Sequence, residues 1–270
     1  MIKEISSPNN DLIKDLVQLL EKSRQRNKKG MFVIEGLREI SLAIQGGYEL
    51  EKVFFCEEIL SADDLEHIIG LGKELNFQLI KISLRVYQKL AHRKKTEGIL
   101  SLCKSKSLNL SDIQLKNNPL ILVAEASEKP GNIGALLRTA DAANLDAVII
   151  ANPKTDVYNP NIIRSSVGCV FTSQIATGTT DEIIGFLKRN NINIYAAALN
   201  ENSIIYTEPD FRESSAIVVG TEDKGLSEQW LNESLKKIII PMEGKIDSLN
   251  VSVSAAIVIF EAKRQRARSL

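Results

Sequence analysis

The pattern of apolar and polar positions divides the chain into two parts that meet near residue 110. Residues 10–25 have apolar side chains at the spacing of an amphipathic helix, namely Leu12, Ile13, Leu16, Val17, Leu19 and Leu20. Short apolar or alternating runs then predict strands at 31–34, 53–55, 77–80 and 98–102, with helices around 37–44 and 63–71. This alternation predicts a small α/β domain over residues 1–106.

The second part has longer apolar runs in a strand–helix–strand order. Continuous runs at 120–124, 147–151, 192–198, 216–220 and 237–240 are typical of parallel strands that are buried on both faces. Helical patterns lie at 133–143, 181–189 and 251–266. Residues 107–118 are polar and end at Pro119, which predicts a linker before a second domain over residues 119–270.

Composition excludes a protein that holds nucleic acid through its net charge. Lys and Arg number 34 and Asp and Glu number 34, so the formal net charge is zero. Basic residues are nevertheless clustered at 22–29, 92–95 and 263–268. Each cluster is either a phosphate-binding patch or an ordinary solvated helix face, and the sequence leaves both alternatives open.

The cysteines and the hydropathy pattern indicate the cellular compartment in which the protein is expected. Cys56, Cys103 and Cys169 are far apart and form no Cys-x-x-Cys pair, which indicates neither a disulfide framework nor a zinc site. The chain has no apolar run of the roughly 18 residues that a transmembrane helix requires, and its first residues do not resemble a signal peptide. We expect a protein of the cytoplasm.

The first cluster of candidate functional residues follows the strand predicted at 120–124. Asn132 is predicted to cap the next helix with its side-chain oxygen, and Gly134 allows close backbone approach. Arg138 near the start of this helix suits a bidentate contact with a phosphate, because helix N-termini favour anions. The alternative is an ordinary surface arginine.

A second cluster follows the strand predicted at 216–220. Gly220 and Gly225 enclose a tight loop that contains Glu222. Such a loop can present main-chain N–H and C=O groups to a small ligand, and it matches neither the dinucleotide-binding glycine pattern nor a P-loop. The loop therefore suits an adenosyl group better than a diphosphate, although by itself it would indicate only a turn.

The third cluster comprises Ile240-Pro241 and Ser248-Leu249-Asn250. Pro241 ends a strand, since proline cannot donate to a sheet ladder. Ser248 and Asn250 precede the last predicted helix, which either Asn250 or Ser252 can cap. Polar side chains at such a position are often only caps, but here they follow the two other clusters at a defined spacing.

In this order and spacing, the three clusters resemble the signature of the SpoU (TrmH-type) RNA 2′-O-ribose methyltransferases of the SPOUT superfamily. The resemblance is strong over residues 119–270 and looser over 1–103, where Glu35-Gly36 and Glu97-Gly98 are similar to a preceding substrate-binding domain. It implies an α/β fold in which a small ribosomal-protein-like domain precedes a SPOUT domain with a parallel sheet and a deep trefoil knot. It also implies a homodimer whose site is completed across the interface.

The same resemblance implies the cofactor S-adenosyl-L-methionine (AdoMet) and a set of site residues, without a metal ion. The cofactor is expected at Gly220, Ile240 and Leu249, with Leu199 as a weaker addition. The catalytic polar positions are expected at Asn132, Arg138, Glu222, Ser248 and Asn250. Because a guanidinium group is effectively always protonated, we expect Arg138 to bind phosphate and stabilise the developing alkoxide, while Glu222, Ser248 or Asn250 orients the nucleophile.

The substrate is the least determined part of this interpretation. A separate N-terminal domain suits a large structured RNA, because it can add phosphate contacts at a distance from the methylated ribose. Ribosomal RNA is the expected substrate and transfer RNA is the alternative. A non-catalytic RNA-binding protein of the same fold is a second alternative, and a Rossmann-type enzyme is disfavoured because no glycine-rich fingerprint follows the first strand of the second part.

Overall fold

The structure of the protein is a computed structural model that describes residues 2–91, 97–221 and 223–267, apart from the side chains of 72–74. It divides into two compact units. The first takes the described residues of Met1–Lys106 together with Asp156–Thr172, and the second takes those of Ser107–Thr155 and Ser173–Leu270. Each unit has its own sheet and its own core.

The first unit is a mixed five-stranded sheet with helices. Its elements are β1 (Lys3–Ile5), α1 (Asp11–Glu21), α2 (Ser23–Lys29), β2 (Met31–Glu35), α3 (Leu37–Gln45), β3 (Leu50–Phe55), α4 (Ala62–Leu75), β4 (Gln78–Ile82), α5 (Leu84–Leu90), β5 (Ile99–Lys104) and, from later in the chain, α7 (Pro160–Ser165). The strand order is β1-β4-β3-β5-β2. Strand β5 is antiparallel to both of its neighbours, β3 and β2, and the other paired strands are parallel. The predicted helix at 10–25 is two helices, which break at the extended backbone of Lys22.

The segment Asp156–Thr172 belongs to the core of the first unit, which corrects its assignment to the second predicted domain. The rings of Phe32 and Tyr158 stack with centroids 4.3 Å apart, and those of Tyr48 and Phe171 meet edge to face at 5.1 Å. Gly46 lies so close to Phe171 that an added Cβ would stand 2.0 Å from its carbonyl oxygen. This segment packs as an integral part of the unit.

The second unit is a seven-stranded sheet whose paired strands are all parallel, as the continuous apolar runs predicted. Its elements are β6 (Leu120–Glu125), α6 (Pro130–Ala142), β7 (Ala147–Ala151), β8 (Ile175–Gly178), α8 (Thr180–Arg189), β9 (Asn193–Ala197), β10 (Ile204–Ile205), β11 (Ser215–Val219), α9 (Glu228–Glu233), β12 (Lys236–Ile239) and α10 (Val251–Ala267). The strand order is β10-β12-β9-β11-β6-β7-β8.

Residues 107–118, predicted as a linker, are packed on this second unit instead of bridging freely. Leu110, Ile113 and Leu115 lie against its core, and the Thr177 N–H donates to the Leu108 carbonyl at 2.8 Å. The composition predicted a linker because eight of these twelve residues are polar, whereas the apolar side chains among them anchor the segment.

Two further features bear on the expectations from the sequence. Burial raises the pKa of the Cys56 thiol to about 11 and that of the Cys103 thiol to about 12, so neither is a reactive thiolate at neutral pH. Within the described ranges, helices long and apolar enough to cross a bilayer are absent.

Candidate active site

A cavity of about 850 Å³ opens at the carboxyl ends of three neighbouring strands of the second unit. The strands are β9, β11 and β12, and the segments that follow them form most of its wall. The carboxyl edge of a parallel sheet is where open α/β folds bind their ligands. Its lining includes Leu199, Asn200, Gly220, Thr221, Asp223, Lys224, Gly225, Leu226, Glu228, Leu231, Ile240, Met242, Asp247, Ser248, Leu249, Asn250 and Ser254.

The segment after β11 is a tight turn, which we call the glycine loop (residues 220–226). Thr221 and Gly225 exchange two backbone hydrogen bonds of 3.0 Å, and the Lys224 N–H donates to the Thr221 hydroxyl at 3.1 Å. Gly225 has a φ of +65°, a conformation that suits glycine. The described residues of the loop are therefore held in a hydrogen-bonded turn, and they line the cavity.

Gly220 is required for this shape by close packing of the backbone. A Cβ built at Gly220 would stand 2.2 Å from both the carbonyl carbon and the oxygen of Gly225, and 2.6 Å from the nitrogen of Leu226. All three contacts are with backbone atoms, which cannot rotate away as a side chain can. The absence of a side chain at 220 thus permits the loop to fold back on its own strand end.

The start of α10 connects the third cluster to the first. The Asn250 side-chain oxygen accepts hydrogen bonds from the Ser252 N–H at 3.0 Å and the Ser252 hydroxyl at 2.6 Å, so Asn250 is the residue that caps this helix. Its side-chain nitrogen donates to the Asn132 side-chain oxygen at 3.2 Å. The two asparagines therefore join the beginnings of α6 and α10 beside the cavity.

The predicted cap at Asn132 is wrong in its detail. Helix α6 begins at Pro130 and its N-cap position is Lys129, so Asn132 lies inside the first turn. Proline is favoured at the first position of a helix because its missing N–H would be unpaired there anyway. From this position the Asn132 side-chain oxygen accepts the hydrogen bond from Asn250.

The structure brings most of the predicted site residues to one place. Leu199, Gly220, Ile240 and Leu249 line the cavity together with Ser248 and Asn250, and Asn132 touches it through Asn250. Arg138 is exposed on α6 and is not a lining residue. Glu222 lies outside the described residues.

Sequence reasoning missed several charged lining residues. Asp223 and Lys224 lie within the glycine loop, and Asp247 adjoins Ser248, so a closer inspection of each cluster's neighbours would have found them. Glu228 and Leu231 come from α9, a helix of six residues that shows no clear apolar stripe. Nothing in their spacing signals a site.

The basic clusters have mixed roles. In the cluster at 22–29, Arg26 is buried, its Nε lies 3.0 Å from the Asp156 carboxylate, and only neighbours such as Arg24 and Lys28 are exposed. In the cluster at 263–268, the Arg266 guanidinium donates to the carbonyls of Phe211 at 2.7 Å and Glu213 at 2.6 Å. Arg26 and Arg266 are structural, while residues 92–95 and Arg268 lie outside the described part of the chain.

Comparison with known protein families assigns both parts of the chain. The model of the SpoU rRNA Methylase family matches residues 119–260, which is more than half of the sequence. This chain belongs to the SpoU rRNA methylase family. The model of an MRM3-like substrate binding domain matches residues 10–101, ahead of the SpoU region.

Some relatives of this SpoU protein match it over nearly its whole length. The 23S rRNA (guanosine(2553)-2′-O)-methyltransferase RlmP of Bacillus subtilis is 28% identical over 97% of the chain and 100% of its own length. A crystal structure of an RNA 2′-O ribose methyltransferase has 38% sequence identity and a TM-score of 0.84, covering 98% of this chain and 99% of its own.

Other SpoU relatives match only part of the chain. The tRNA (guanosine(18)-2′-O)-methyltransferase of Thermus thermophilus is 36% identical, and the match covers 56% of this chain and 77% of that protein. The difference in coverage separates relatives that share both parts of this SpoU protein from one that shares about half of it.

Proposed function

We propose that this protein transfers a methyl group from AdoMet to a ribose 2′-hydroxyl of RNA, and that the RNA is ribosomal. The observation that carries the proposal is the single cavity formed by the segments after β9, β11 and β12, at which the three sequence clusters converge. Relatives named as RNA 2′-O-methyltransferases, similar over nearly the full chain, support the same reaction.

The cavity fits AdoMet by its size and by the groups that line it. A volume of about 850 Å³ lies within the range of small-molecule pockets. Leu226, Ile240 and Leu249 supply apolar surface for a flat ring, and Gly220 and Gly225 line the same cavity without side chains. These residues, with Leu199, would hold the cofactor.

The reaction is an in-line displacement. When bound, the cofactor supplies an activated methyl group on a positively charged sulfur. The ribose 2′-oxygen forms a bond to the methyl carbon as the carbon–sulfur bond breaks, and the 2′-hydroxyl proton leaves to a base or to water. The protein's main contribution is therefore to position the ribose and to stabilise the negative charge on its oxygen.

We assign the polar residues on this basis. Asn132 is hydrogen-bonded to Asn250, which lines the cavity with Ser248. We assign the orientation of the 2′-hydroxyl to these three residues and Glu222. The guanidinium of Arg138 binds the phosphate next to the target ribose, for which its forked donor geometry is suited. Its exposed position on α6 leaves its guanidinium accessible to a phosphate.

We further propose a homodimer in which a second copy of the chain covers one face of α10. Val253 and Phe260 are seven residues apart, which places them on one side of this helix two turns apart, and they are 47% and 51% exposed. Helix α6, which carries Arg138, packs against α10. A dimer through this face would place Arg138 of each copy near the interface, and Phe260→Glu should shift the protein to a monomer in sedimentation equilibrium.

The assignment of the first unit as the RNA-binding part is also a proposal. The MRM3-like substrate binding domain at 10–101 supports it, as do the exposed Arg24 and Lys28. Ribosomal RNA is favoured because the relative that acts on 23S rRNA shares the whole chain, whereas the tRNA-specific relative shares 56% of it. We also propose that the second unit contains the trefoil knot that the family implies.

The test combines cofactor binding with methyl transfer. We expect calorimetry to detect AdoMet binding without added metal, and radiolabelled methyl transfer to purified 23S rRNA to exceed transfer to tRNA. Binding of AdoMet without transfer to either RNA would favour the non-catalytic alternative. Transfer to tRNA alone would overturn the choice of substrate but not the reaction.

A further inference from the structure

The carboxyl end of β6 carries a buried carboxylate that the proposed mechanism does not use. Glu125 is the last residue of β6 and is 6% exposed, although charged side chains are seldom fully buried without partners. We propose that Glu125 is a positioning residue that fixes the end of the glycine loop in its cofactor-binding conformation. This inference rests on the proposed function, since it assigns the loop to AdoMet.

Three donors converge on the Glu125 carboxylate. Its Oε2 accepts the Ser227 N–H at 2.8 Å, and its Oε1 accepts the Ser227 hydroxyl at 2.7 Å and the Thr180 hydroxyl at 3.3 Å. The Thr180 hydroxyl in turn accepts a hydrogen bond of 2.9 Å from the Asn152 side chain. The network therefore joins the carboxyl ends of β6 and β7 to α8 and to Ser227, the residue that directly follows the glycine loop.

Ser227 connects this network to the cavity. It directly follows Leu226, the last residue of the glycine loop, and directly precedes α9. Its hydroxyl donates to Glu125 and makes no capping hydrogen bond to α9. Glu228 and Leu231 of α9 line the cavity, so the position of Ser227 determines where both the loop and these two side chains lie.

Strand β6 thus holds both ends of the glycine loop through adjacent residues. At the beginning of the loop, Val219 of β11 pairs with Ala124 in the sheet register. At its end, Ser227 is held by the next residue of β6, Glu125. A loop fixed at both ends has fewer conformations available, so less conformational entropy is lost when a ligand orders it.

Removing the carboxylate should lower the fraction of molecules whose glycine loop is in the conformation that binds AdoMet. The apparent Kd for AdoMet rises in inverse proportion to that fraction. For Glu125→Ala we expect the Kd for AdoMet to rise by about tenfold to a hundredfold, the range that corresponds to hydrogen bonds with a charged group. The value of kcat with both substrates saturating should change by less than about threefold, because Glu125 is not a lining residue of the cavity.

The amide variant separates positioning from charge. In Glu125→Gln the side-chain oxygen can accept from the Ser227 N–H, and the amide nitrogen can donate to the Ser227 and Thr180 hydroxyls, which act as acceptors after rotation. We therefore expect Glu125→Gln to bind AdoMet within about threefold of the wild type. The matched control is Glu213→Ala, which removes an exposed carboxylate just before β11 and should bind like the wild type.

Ser227→Ala provides a second variant if Glu125→Ala does not fold. It removes the hydroxyl donor at an exposed position and keeps the backbone donor, so the Kd for AdoMet should rise by about threefold to tenfold. Calorimetry with AdoMet on the full chain is the measurement, with thermal unfolding recorded beside it.

An unchanged Kd in Glu125→Ala, or in Ser227→Ala if the former is insoluble, would overturn the proposal even if the melting temperature fell. If Glu125→Gln binds AdoMet as weakly as Glu125→Ala does, the negative charge of Glu125 matters and positioning by hydrogen bonds is contradicted. Failure of the wild type to bind AdoMet would instead remove the proposed function, and this assignment with it.

Discussion

Replacing Gly220 with alanine tests the steric basis of the cofactor cavity. The new methyl group would stand 2.2 Å from the carbonyl carbon and oxygen of Gly225, at least 0.8 Å inside the 3.0 Å limit below which the structure must shift. The contacting atoms belong to the backbone, so the glycine loop itself must move. Overpacking of this kind costs about 1–3 kcal/mol, which corresponds to roughly a 5- to 150-fold increase in the Kd for AdoMet.

Isothermal titration with AdoMet on the folded variant is the assay, and circular dichroism verifies the fold. Gly70→Ala is the control, because Gly70 lies in α4 with no atom within 4 Å of an added Cβ and should leave the Kd unchanged. A second comparison is Gly225→Ala, where space is open but the φ of +65° strains an L-residue. Wild-type affinity in a well-folded Gly220→Ala protein would refute the close-packing argument.

Further predictions concern catalysis, stability and reactivity. Arg138→Ala should lose methyl transfer by about a hundredfold or more while the Kd for AdoMet stays within about twofold, because the phosphate contact that positions the target ribose is lost; near-normal transfer would remove Arg138 from catalysis. Arg26→Met leaves the Asp156 carboxylate, which is 11% exposed, without its partner and should destabilise the first unit by about 3 kcal/mol in urea unfolding, whereas an unchanged midpoint would contradict a structural ion pair. Deleting residues 1–103 should cause aggregation, since segment 156–172 loses its core partners; a monodisperse product would contradict this. In native protein at pH 8, Cys169 should be alkylated before the two buried thiols, and equal rates would refute their protection.

The strands of the second unit were predictable because burial on both faces leaves an unbroken apolar run. The run predicted at 147–151 coincides with β7, and that at 120–124 lacks only Glu125 of β6. Strand β8, Ile175–Gly178, was missed because only Ile175 and Ala176 are buried and the run is too short to stand out. Apolar runs therefore locate central strands better than the outermost strand of a sheet.

The association of Asp156–Thr172 with the first unit was not predictable from periodicity. Phe32 and Tyr158 stand 126 positions apart, and their stacking is visible only in three dimensions. The same is true of Arg26, which belongs to a basic run in the sequence but is neutralised by Asp156 in the core. Local patterns carry no information about which distant partner a side chain finds.

The site was predicted largely through the family resemblance and not from composition. The spacing of Gly220, Ile240 and Ser248-Leu249-Asn250 located the cavity wall, and the structure brings these residues together. The helix cap was misplaced at Asn132 because α6 begins at Pro130, three residues before the predicted start, and its N-cap position is Lys129. The Glu125 network was missed because a single acidic residue at a strand end has no pattern of its own.

The central claim is that this protein methylates a ribose 2′-hydroxyl of ribosomal RNA. Its most direct test is a transcriptome-wide map of 2′-O-methyl marks in total RNA from cells with the gene and cells without it, with the gene and its Arg138→Ala variant reintroduced as controls. We predict that one mark in large-subunit rRNA disappears on deletion and returns only with the wild-type gene. An unchanged rRNA map, or a lost mark that the Arg138→Ala variant restores fully, would contradict the account.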